Sequence, residues 1–282
     1  MSNLKAFAAS AIISSVFGLG ATGQASASVS AWVSGAGQDV SGCGAQTSPC
    51  RTFQYVHDNI LGPSGGDILV RDSGSFGPLS ITKPVSVIND GVGTAGTGAP
   101  SGQIAISINT TGNVLLKGLT IDGVSGAYGG VNVAAAGSVT ITNCLVQNFS
   151  HYGIQIYTNF GATRFSILDT LVQNNGVDGI YVNTYAGTLQ GAIGNARILN
   201  NGTGIEATGG TTQFTVADSL ISGNASGLHI SGYSTLVALR HSSITWNTVG
   251  YYTTQAVTQT YGDNMITGNG GNTGTLQTVG SN

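Results

Sequence analysis

The sequence predicts an all-β fold, a right-handed parallel β-helix in which each coil contributes three short strands and a helix caps the N-terminal end. Two observations carry this prediction: a repeat of 22 to 26 residues, and three apolar patches within each copy. The composition agrees with it, because 7% charged residues and 45 glycines in 282 residues suit a chain of short strands and turns. Disorder is excluded, since 40% of the residues are hydrophobic and disordered chains lack regularly placed aliphatics.

The repeat is a branched aliphatic residue followed by one or two residues and an asparagine, and it occurs six times between Cys144 and Asn269. Successive copies begin 26, 26, 23, 23 and 22 residues apart. A unit this short cannot bury its apolar side chains alone, so each copy must lie against the next. The copies begin at Val146, Val172, Ile198, Ile221, Ile244 and Ile266.

One strand in each coil alternates apolar and polar residues, which predicts a strand buried on one face. Equivalent strands of successive coils run in the same direction, so they form parallel sheets with neighbours about 4.8 Å apart and right-handed crossovers. The alternating segments are Val131-Asn132-Val133, Ile154-Gln155-Ile156, Ile180-Tyr181-Val182, Ile205-Glu206-Ala207 and Leu228-His229-Ile230.

Asparagines and glycines mark two consecutive bends of the coil. We expect the asparagines to adopt the left-handed conformation and to stack as a structural ladder of amides, with no catalytic role. The glycines are expected to serve the next bend for the same conformational reason. The asparagines are Asn175, Asn201, Asn224, Asn247 and Asn269, and the glycines are Gly153, Gly179, Gly204, Gly227 and Gly250.

The chain divides into four segments. Residues 1–27 are predicted to be a signal peptide, because Lys5 precedes an apolar run and Ala25-Ser26-Ala27 is typical of a cleavage site. The apolar run is too short and too often interrupted by serine for a membrane span, so we expect export to a secreted or periplasmic location. Residues 28–62 form an N-terminal cap with a helix over Thr52 to Leu61, residues 63–270 form the β-helix, and residues 271–282 form a C-terminal tail.

The three cysteines fit an oxidising compartment. Cys43 and Cys50 are close enough in sequence to form a local disulfide, whereas Cys144 aligns with small residues of later coils and is predicted to be a buried, unreactive thiol. No cysteine spacing is typical of a zinc site, so no metal is predicted, and no sequence motif indicates a cofactor. Nucleic acid is not an expected partner, because Lys and Arg are few and unclustered.

The segments Ser48 to Gln54, Gly65 to Val70 and Ile81 to Val87 resemble the opening of right-handed parallel β-helix proteins of the pectate-lyase-like superfamily. The resemblance covers about Ala31 to Asn269 and implies the fold. The superfamily includes polysaccharide lyases, pectin esterases, polygalacturonases, epimerases, tailspikes and adhesins, so fold alone does not settle function. The catalytic motifs of its enzyme families are absent here, so no catalytic residue is carried over.

The outward positions of the alternating strand are predicted to form one column of neighbours, with a second column two residues further along each strand. From these columns we take six candidate carbohydrate-binding residues, of which Glu206, His229 and Tyr181 are also candidates for acid and base chemistry. Asp178 precedes its strand at the Gly179 bend, so it is not expected to pair with Glu206. The six binding candidates are Gln155, Tyr157, Tyr181, Glu206, His229 and Tyr252.

Three functions remain open at this point. The first is a protein that binds extended carbohydrate through this column. The second is a lyase or hydrolase acting on acidic polysaccharide, with Arg164, Arg197 or Arg240 as the group that neutralises a uronate. The third is a structural or surface-assembly protein, favoured if loops cover the column. The alternative without a function is that the column is an ordinary polar surface, on which an exposed Glu-His pair contributes little to stability.

The other histidines, His57, His151 and His241, are expected to be solvated.

Overall fold

The computed structural model describes residues 29–124, 126–158 and 161–280; the predicted signal peptide lies outside these residues. The chain winds as a right-handed parallel β-helix, as predicted. Every ladder between named strands is parallel, and the 26 strands form one sheet of 17 strands and one of nine. The larger sheet covers two sides of the coil, so the β-helix has three walls, which the chain visits in the order first, second, third.

The first wall consists of equivalent strands from successive coils, and it bears the candidate site. Its strands are β4 (Leu79–Ile81), β7 (Ile104–Asn109), β10 (Gly129–Ala135), β13 (Tyr152–Thr158), the first part of β16 (Asp178–Gly194), the first part of β18 (Thr203–Ala217), β20 (Ser226–Ser231) and β23 (Val249–Thr254).

The second wall shares the two long strands with the first, because β16 and β18 continue around the corner between the walls. It consists of β1 (Val29–Val33), β2 (Gly66–Val70), β5 (Val85–Ile88), β8 (Asn113–Lys117), β11 (Ser138–Thr142), β14 (Ala162–Leu168), the second parts of β16 and β18, β21 (Thr235–Arg240), β24 (Val257–Thr260) and β26 (Gln277–Thr278).

The third wall is the nine-stranded sheet and carries the aliphatic residues that begin each repeat. Its strands are β3 (Gly74–Ser75), β6 (Ala95–Thr97), β9 (Leu119–Asp122), β12 (Leu145–Gln147), β15 (Leu171–Gln173), β17 (Arg197–Leu199), β19 (Leu220–Ser222), β22 (Ser243–Thr245) and β25 (Met265–Thr267).

The core is a continuous column of aliphatic side chains along the axis. On the first wall, Val131, Ile154, Ile180, Ile205 and Leu228 follow one another in register, and all five are fully buried. Burial of each such side chain contributes about 1.5–3 kcal/mol, so the stack gains stability with every coil. The column ends at Tyr251, which pairs with Leu228 and is only partly buried.

The N-terminal end is closed by α1 (Phe53–Asn59), as the helical spacing predicts. Thr52 caps the helix, and its hydroxyl accepts a hydrogen bond from the Tyr55 amide. Phe53 stacks on Phe76 with a ring separation of 4.8 Å. Strand β1 falls within the range expected for the cap, yet it pairs with β2 along its whole length, so the parallel ladder begins before the helix.

His57 corrects the expectation that this histidine is solvated. Its side chain is 1% exposed, its Nε2 accepts a hydrogen bond from the Thr82 amide, and its Nδ1 lies 2.6 Å from Asp58. The Lys83 ammonium donates to the carbonyl oxygens of His57 and Leu61 at the end of the helix. His57 therefore holds the cap against the first coils.

The asparagine ladder is present, but its conformational basis differs from the prediction. The Asn201 side-chain oxygen accepts from the amide and the side chain of Asn175, and Asn224 does the same for Asn201. The left-handed residues are those one position earlier, such as Asn174 (φ 57°) and Asn200 (φ 56°). The ladder asparagines are thus selected because their buried amides satisfy neighbouring backbone groups.

The bend glycines also have a different reason from the one predicted. Gly204 does not have a positive φ; a Cβ there would lie 2.6 Å from the Gly227 carbonyl oxygen and 2.8 Å from Ile221 Cγ2. Contact between coils, not a left-handed backbone, excludes a side chain at this bend.

Candidate functional site

The outward residues of the first wall form one column, as the alternation predicts. The register pairs Asn132 with Gln155, Gln155 with Tyr181, Tyr181 with Glu206, Glu206 with His229 and His229 with Tyr252. Neighbours in such a parallel ladder are about 4.8 Å apart. The second column is also aligned, since Tyr157 pairs with Asn183 and Asn183 with Thr208.

The column stays open to solvent. The side chains of Glu206 and His229 are 23% and 35% exposed, and Tyr252 and Tyr157 are 40% and 36% exposed. A shallow depression of about 430 Å³ lies beside His229 and Tyr252. The described loops therefore do not cover this wall, which removes the condition that would favour a purely structural role.

Three consecutive rungs bring a carboxylate, an imidazole and a phenol together. Glu206 Oε2 lies 3.5 Å from His229 Nδ1, and the Tyr252 ring meets the His229 ring edge to face at 5.2 Å. The contact with Tyr252 restricts the imidazole, and the contact with Glu206 directs one of its nitrogens. The arrangement can accept hydrogen bonds from a ligand at Glu206 and offer it the flat face of Tyr252.

Tyr181 is less available than its position in the column indicates. Its hydroxyl oxygen accepts a hydrogen bond of 2.6 Å from the Asn183 side chain and lies 3.4 Å from the Thr208 hydroxyl. These contacts hold the ring along the wall. The phenol is already engaged by neighbours, which leaves Glu206 and His229 as the freer of the three catalytic candidates.

Asp178 joins the site, contrary to the expectation that it would not pair with Glu206. Its carboxyl group is buried, with the residue 8% exposed, and among the described residues none offers a hydrogen bond to its Oδ1. Burial raises the pKa of Asp178, the negative charge of Glu206 adds to the rise, and together they bring it to about 7. Asp178 therefore keeps its proton to a higher pH than an exposed aspartate does.

The local backbone explains why Asp178 reaches the outer side. The ladder skips Gly179, so that Asp178 pairs with Thr203 and Ile180 with Ile205. A Cβ at Gly179 would meet Ile198 and Asn201 in the interior, and Ile180 is fully buried. Two successive residues point inward, so Asp178 lies on the same side as Tyr181. A two-residue alternation does not reveal this, and the repeated glycine before each strand was its only sequence signal.

A cluster of aromatic rings extends the site toward the N-terminal coils. Tyr128 stacks on the His151 ring at 3.8 Å and meets Tyr152 edge to face at 5.5 Å. Tyr152 pairs in register with Asp178, and burial raises the pKa of its phenol to about 12. His151 is exposed, as expected, but it is a stacked ring in this cluster.

Two further aromatic side chains stand at the borders of the wall. Tyr233 follows β20 and is 81% exposed, with its hydroxyl accepting from Gln255. Trp246 precedes β23 and is 75% exposed, with a backbone φ of 57°.

The basic residues proposed to neutralise a uronate lie on other walls. Arg164 is in β14 and Arg240 in β21, both on the second wall, whereas Arg197 is in β17 on the third. Arg240 also faces Asp263 at 3.9 Å and the Tyr261 ring at 5.9 Å. His241 likewise lies 3.2 Å from Asp263, at a distant corner.

The cysteines lie away from this wall. Cys43 and Cys50 form a disulfide in the cap. Together with Asp39 they make up a group of potential metal ligands, but Asp39 accepts hydrogen bonds from the Arg51 and Thr52 amides and disulfide sulfurs are poor ligands, so the residues do not fit a metal site. Cys144 is a buried free thiol, and burial raises its pKa to about 11.

Another depression, of about 530 Å³, lies next to the cap and not at the column. Its carboxylate, Asp72, already accepts hydrogen bonds of 2.7 Å from the Ser34 hydroxyl and the Gly35 amide. We therefore centre the site on the first wall, where acidic, basic and aromatic side chains converge. Among the described residues no helix has the length and apolar character required to span a membrane.

The comparisons with known proteins agree with this architecture. The family described as "Right handed beta helix region" matches residues 51–221. The crystal structure of pectate lyase Pel9A is similar with a TM-score of 0.61 and 14% identity, over 91% of this chain and 78% of that chain. The A-module of the Azotobacter vinelandii mannuronan C-5 epimerase AlgE6 gives a TM-score of 0.41 and 16% identity, over 77% of this chain and 83% of that chain. No curated protein sequence matches the chain.

Proposed function

Because the chain belongs to the right-handed beta helix family, whose coils expose long regular walls, we propose that it is an exported protein that binds extended carbohydrate through the first wall. The contact residues are the six that the sequence singles out, and Asp178 lies buried beside Glu206 behind them. The six are Gln155, Tyr157, Tyr181, Glu206, His229 and Tyr252.

The observation that carries the proposal is the unbroken register of polar and aromatic side chains along an open wall. Gln155 and Tyr252 are four rungs apart, which at about 4.8 Å for each rung spans about 19 Å. A surface of this length can contact several consecutive units of a linear polymer. Half-buried hydrogen-bonding groups next to exposed aromatic rings suit sugar units, which present hydroxyl groups at their edges and C–H groups on their faces.

The fold supports the same class of ligand by analogy alone. Pel9A, which has a similar fold, is a pectate lyase. Analogy of fold does not transfer activity, so the proposal rests on the wall of this chain.

Affinity electrophoresis against a panel of linear polysaccharides tests the proposal. Tyr252→Ala removes an exposed ring beside His229. For any polymer that slows the migration of the parent protein, we expect the affinity of this variant to be at least about tenfold lower. Tyr261→Ala is the matched control, because Tyr261 is similarly exposed but lies next to Arg240 on another wall. If the polymer slows both variants and the parent protein equally, the first wall is not the binding surface.

Export is part of the proposal. Its support is the pattern of residues 1–27 together with the Cys43–Cys50 disulfide, a bond that persists in oxidising compartments. Mass spectrometry of the protein from the culture medium or periplasm is expected to show an N-terminus at Ser28. Retention of the intact chain inside the cell would contradict export.

A second candidate is catalysis on a polysaccharide at the same wall, and one observation favours it. Asp178, with a pKa raised to about 7 by burial and by Glu206, is poised to donate a proton near neutral pH while Glu206 or His229 accepts one. New reducing or unsaturated ends in the polysaccharide panel, lost in Glu206→Gln, would establish turnover. An absence of such ends across the panel leaves binding as the function.

A further inference from the structure

The charge of the first wall decides between two classes of carbohydrate. Its described strands contain two carboxylates, Asp178 and Glu206, and neither Lys nor Arg. Glu206 is the only glutamate of the chain. The wall is therefore anionic at the point where its polar and aromatic groups converge.

The basic residues of the described chain lie elsewhere, and most are engaged. Arg51 donates to the Ser75 carbonyl oxygen, Lys83 to the end of the capping helix, and Lys117 to Asp90 at 2.6 Å. The four others lie in or next to strands of the second and third walls: Arg71, Arg164, Arg197 and Arg240.

Two histidines at the wall can become positive, His229 and His151, of which His151 precedes β13 and stacks on Tyr128. The Nδ1 of His229 lies 3.5 Å from Glu206, so a positive charge on His229 would be balanced by that carboxylate before a ligand arrived. The other titratable groups facing Asp178 and Glu206 are phenols, those of Tyr152 and Tyr181 on the adjacent rungs. None of them supplies a cation.

Hydroxyl donors are the groups that this site accommodates best. Asp178 is more than nine-tenths buried, and its Oδ1 has no hydrogen-bond donor within the described part of the chain. That oxygen is enclosed, so the acceptor that a ligand hydroxyl can reach is the Glu206 carboxylate, whose side chain is 23% exposed. A uronate would instead bring a negative charge beside Glu206, where the described strands of the wall hold neither Lys nor Arg, and like charges at an interface are strongly disfavoured.

On the basis of the proposed function, we infer that the ligand of the first wall is a neutral glycan, and that Asp178 and Glu206 discriminate against polymers of uronic acids. The Glu206 carboxylate accepts hydrogen bonds from sugar hydroxyls, the buried Asp178 adds to the negative charge behind it, and Tyr252 provides the stacking surface. This inference separates the protein from a lyase or hydrolase acting on acidic polysaccharide, which was the second function left open by the sequence.

Matched polymers that differ only at C6 test this inference. Galacturonan, mannuronan and glucuronan are each compared with their carboxyl-reduced forms, which keep the linkage and lose the charge. At pH 8 and low salt we expect the neutral form of at least one pair to bind at least about tenfold more tightly than its uronate form. The preference for the neutral form is expected to shrink in high salt, because salt screens the repulsion between the uronate and the solvent-exposed carboxylate.

Charge-neutral variants assign the preference to these two residues. Glu206→Gln and Asp178→Asn, singly and combined, are expected to narrow the ratio between neutral and uronate affinity at least about threefold. Asp218→Asn removes a charge from an exposed corner residue and is expected to leave the ratio unchanged. Circular dichroism of each variant verifies the fold before binding is measured, and each single variant tests the inference if the double variant does not fold.

The outcomes distinguish this inference from the function on which it rests. Equal or tighter binding of the uronate forms, or a ratio that neither substitution changes, overturns the neutral-glycan inference and leaves carbohydrate binding intact. If neither the six polymers nor any other linear glycan of the panel binds, the neutral-glycan inference and the proposed carbohydrate binding are both overturned.

Discussion

Asp178 is buried beside Glu206 of the next coil, although in register it pairs with Thr203, three residues before Glu206. Burial and the charge of Glu206 raise the pKa of Asp178 to about 7, so in this juxtaposition Asp178 keeps its proton to a higher pH than an exposed aspartate does. The juxtaposition arises because Gly179 and Ile180 both face the core, which leaves Asp178 on the outer side with Tyr181. The pair makes an otherwise ordinary polar wall chemically distinct.

The pair makes stability depend on pH. The folded protein holds the Asp178 proton up to about pH 7, whereas the unfolded carboxyl group loses it near its ordinary pKa of 3.8. Because the folded state binds more protons between these values, the free energy of unfolding falls as pH rises from about 4 to 7. We expect Asp178→Asn to be about 1–3 kcal/mol more stable than the parent at pH 8, with the difference disappearing toward pH 4. Urea melts at several pH values measure this.

Asp218→Asn is the control for that experiment, because its side chain is 68% exposed and its φ of 51° suits asparagine. Its stability difference from the parent is expected to stay small across the same range. A variant Asp178→Asn that is less stable than the parent at pH 8 would contradict the raised pKa.

The asparagine ladder is expected to be a main source of stability. Asn224 accepts two hydrogen bonds from Asn201 and donates to the Ile198 carbonyl oxygen and to Asn247. Asn224→Ala leaves these buried partners unsatisfied, which predicts a loss of about 2–4 kcal/mol in the free energy of unfolding. Asn200→Gly is the control, because Asn200 is exposed with a positive φ, and it is expected to cost less than about 1 kcal/mol. Similar losses for both would show that the ladder is not stabilising.

Close contact between coils predicts the effect of a single methyl group. In Gly204→Ala the new Cβ would lie 2.6 Å from the Gly227 carbonyl oxygen, so the two coils must separate. We expect a loss of about 1–3 kcal/mol and a lower thermal midpoint. At Gly271 a Cβ meets no described atom within 4 Å, so Gly271→Ala is expected to leave the midpoint nearly unchanged. An unchanged midpoint for Gly204→Ala would contradict the observed packing.

The buried thiol is expected to be inert while the protein is folded. Burial raises the pKa of Cys144 to about 11, so almost no thiolate is present at pH 8, and the thiolate is the form that reacts. Iodoacetamide is expected to label Cys144 only after addition of guanidinium, and to spare the Cys43–Cys50 disulfide unless reductant is present. Rapid labelling of the native protein would show that the thiol is accessible.

The repeat was sufficient to predict the coils and the parallel walls, and the helical spacing within Thr52 to Leu61 predicted the capping helix. Ile180, Ile205 and Leu228 could be aligned from their spacing, because a two-residue alternation within a nearly constant period leaves few ways to stack strands. The same alignment placed Glu206 between Tyr181 and His229. These predictions depend on backbone periodicity, which the order of residues expresses directly.

The features that the sequence analysis predicted wrongly have physical causes that residue spacing does not show. Asp178 lies where the alternation is interrupted, His57 lies under a helix whose packing depends on Thr82 and Lys83, and the left-handed residues are displaced by one position from the ladder asparagines. Each depends on contacts between residues more than 20 positions apart, or on a local break in the alternation of inward and outward side chains.

Residue order alone was therefore enough for the architecture and for the membership of the outward column, because burial of aliphatic side chains every second residue dictates how the coils must stack. Only the tertiary structure shows that Asp178 lies beside Glu206, that Asn183 holds the Tyr181 hydroxyl, and that the basic residues are on the other walls. Those features follow from distances and burial across coils, which set charge and protonation and which a one-dimensional pattern does not contain.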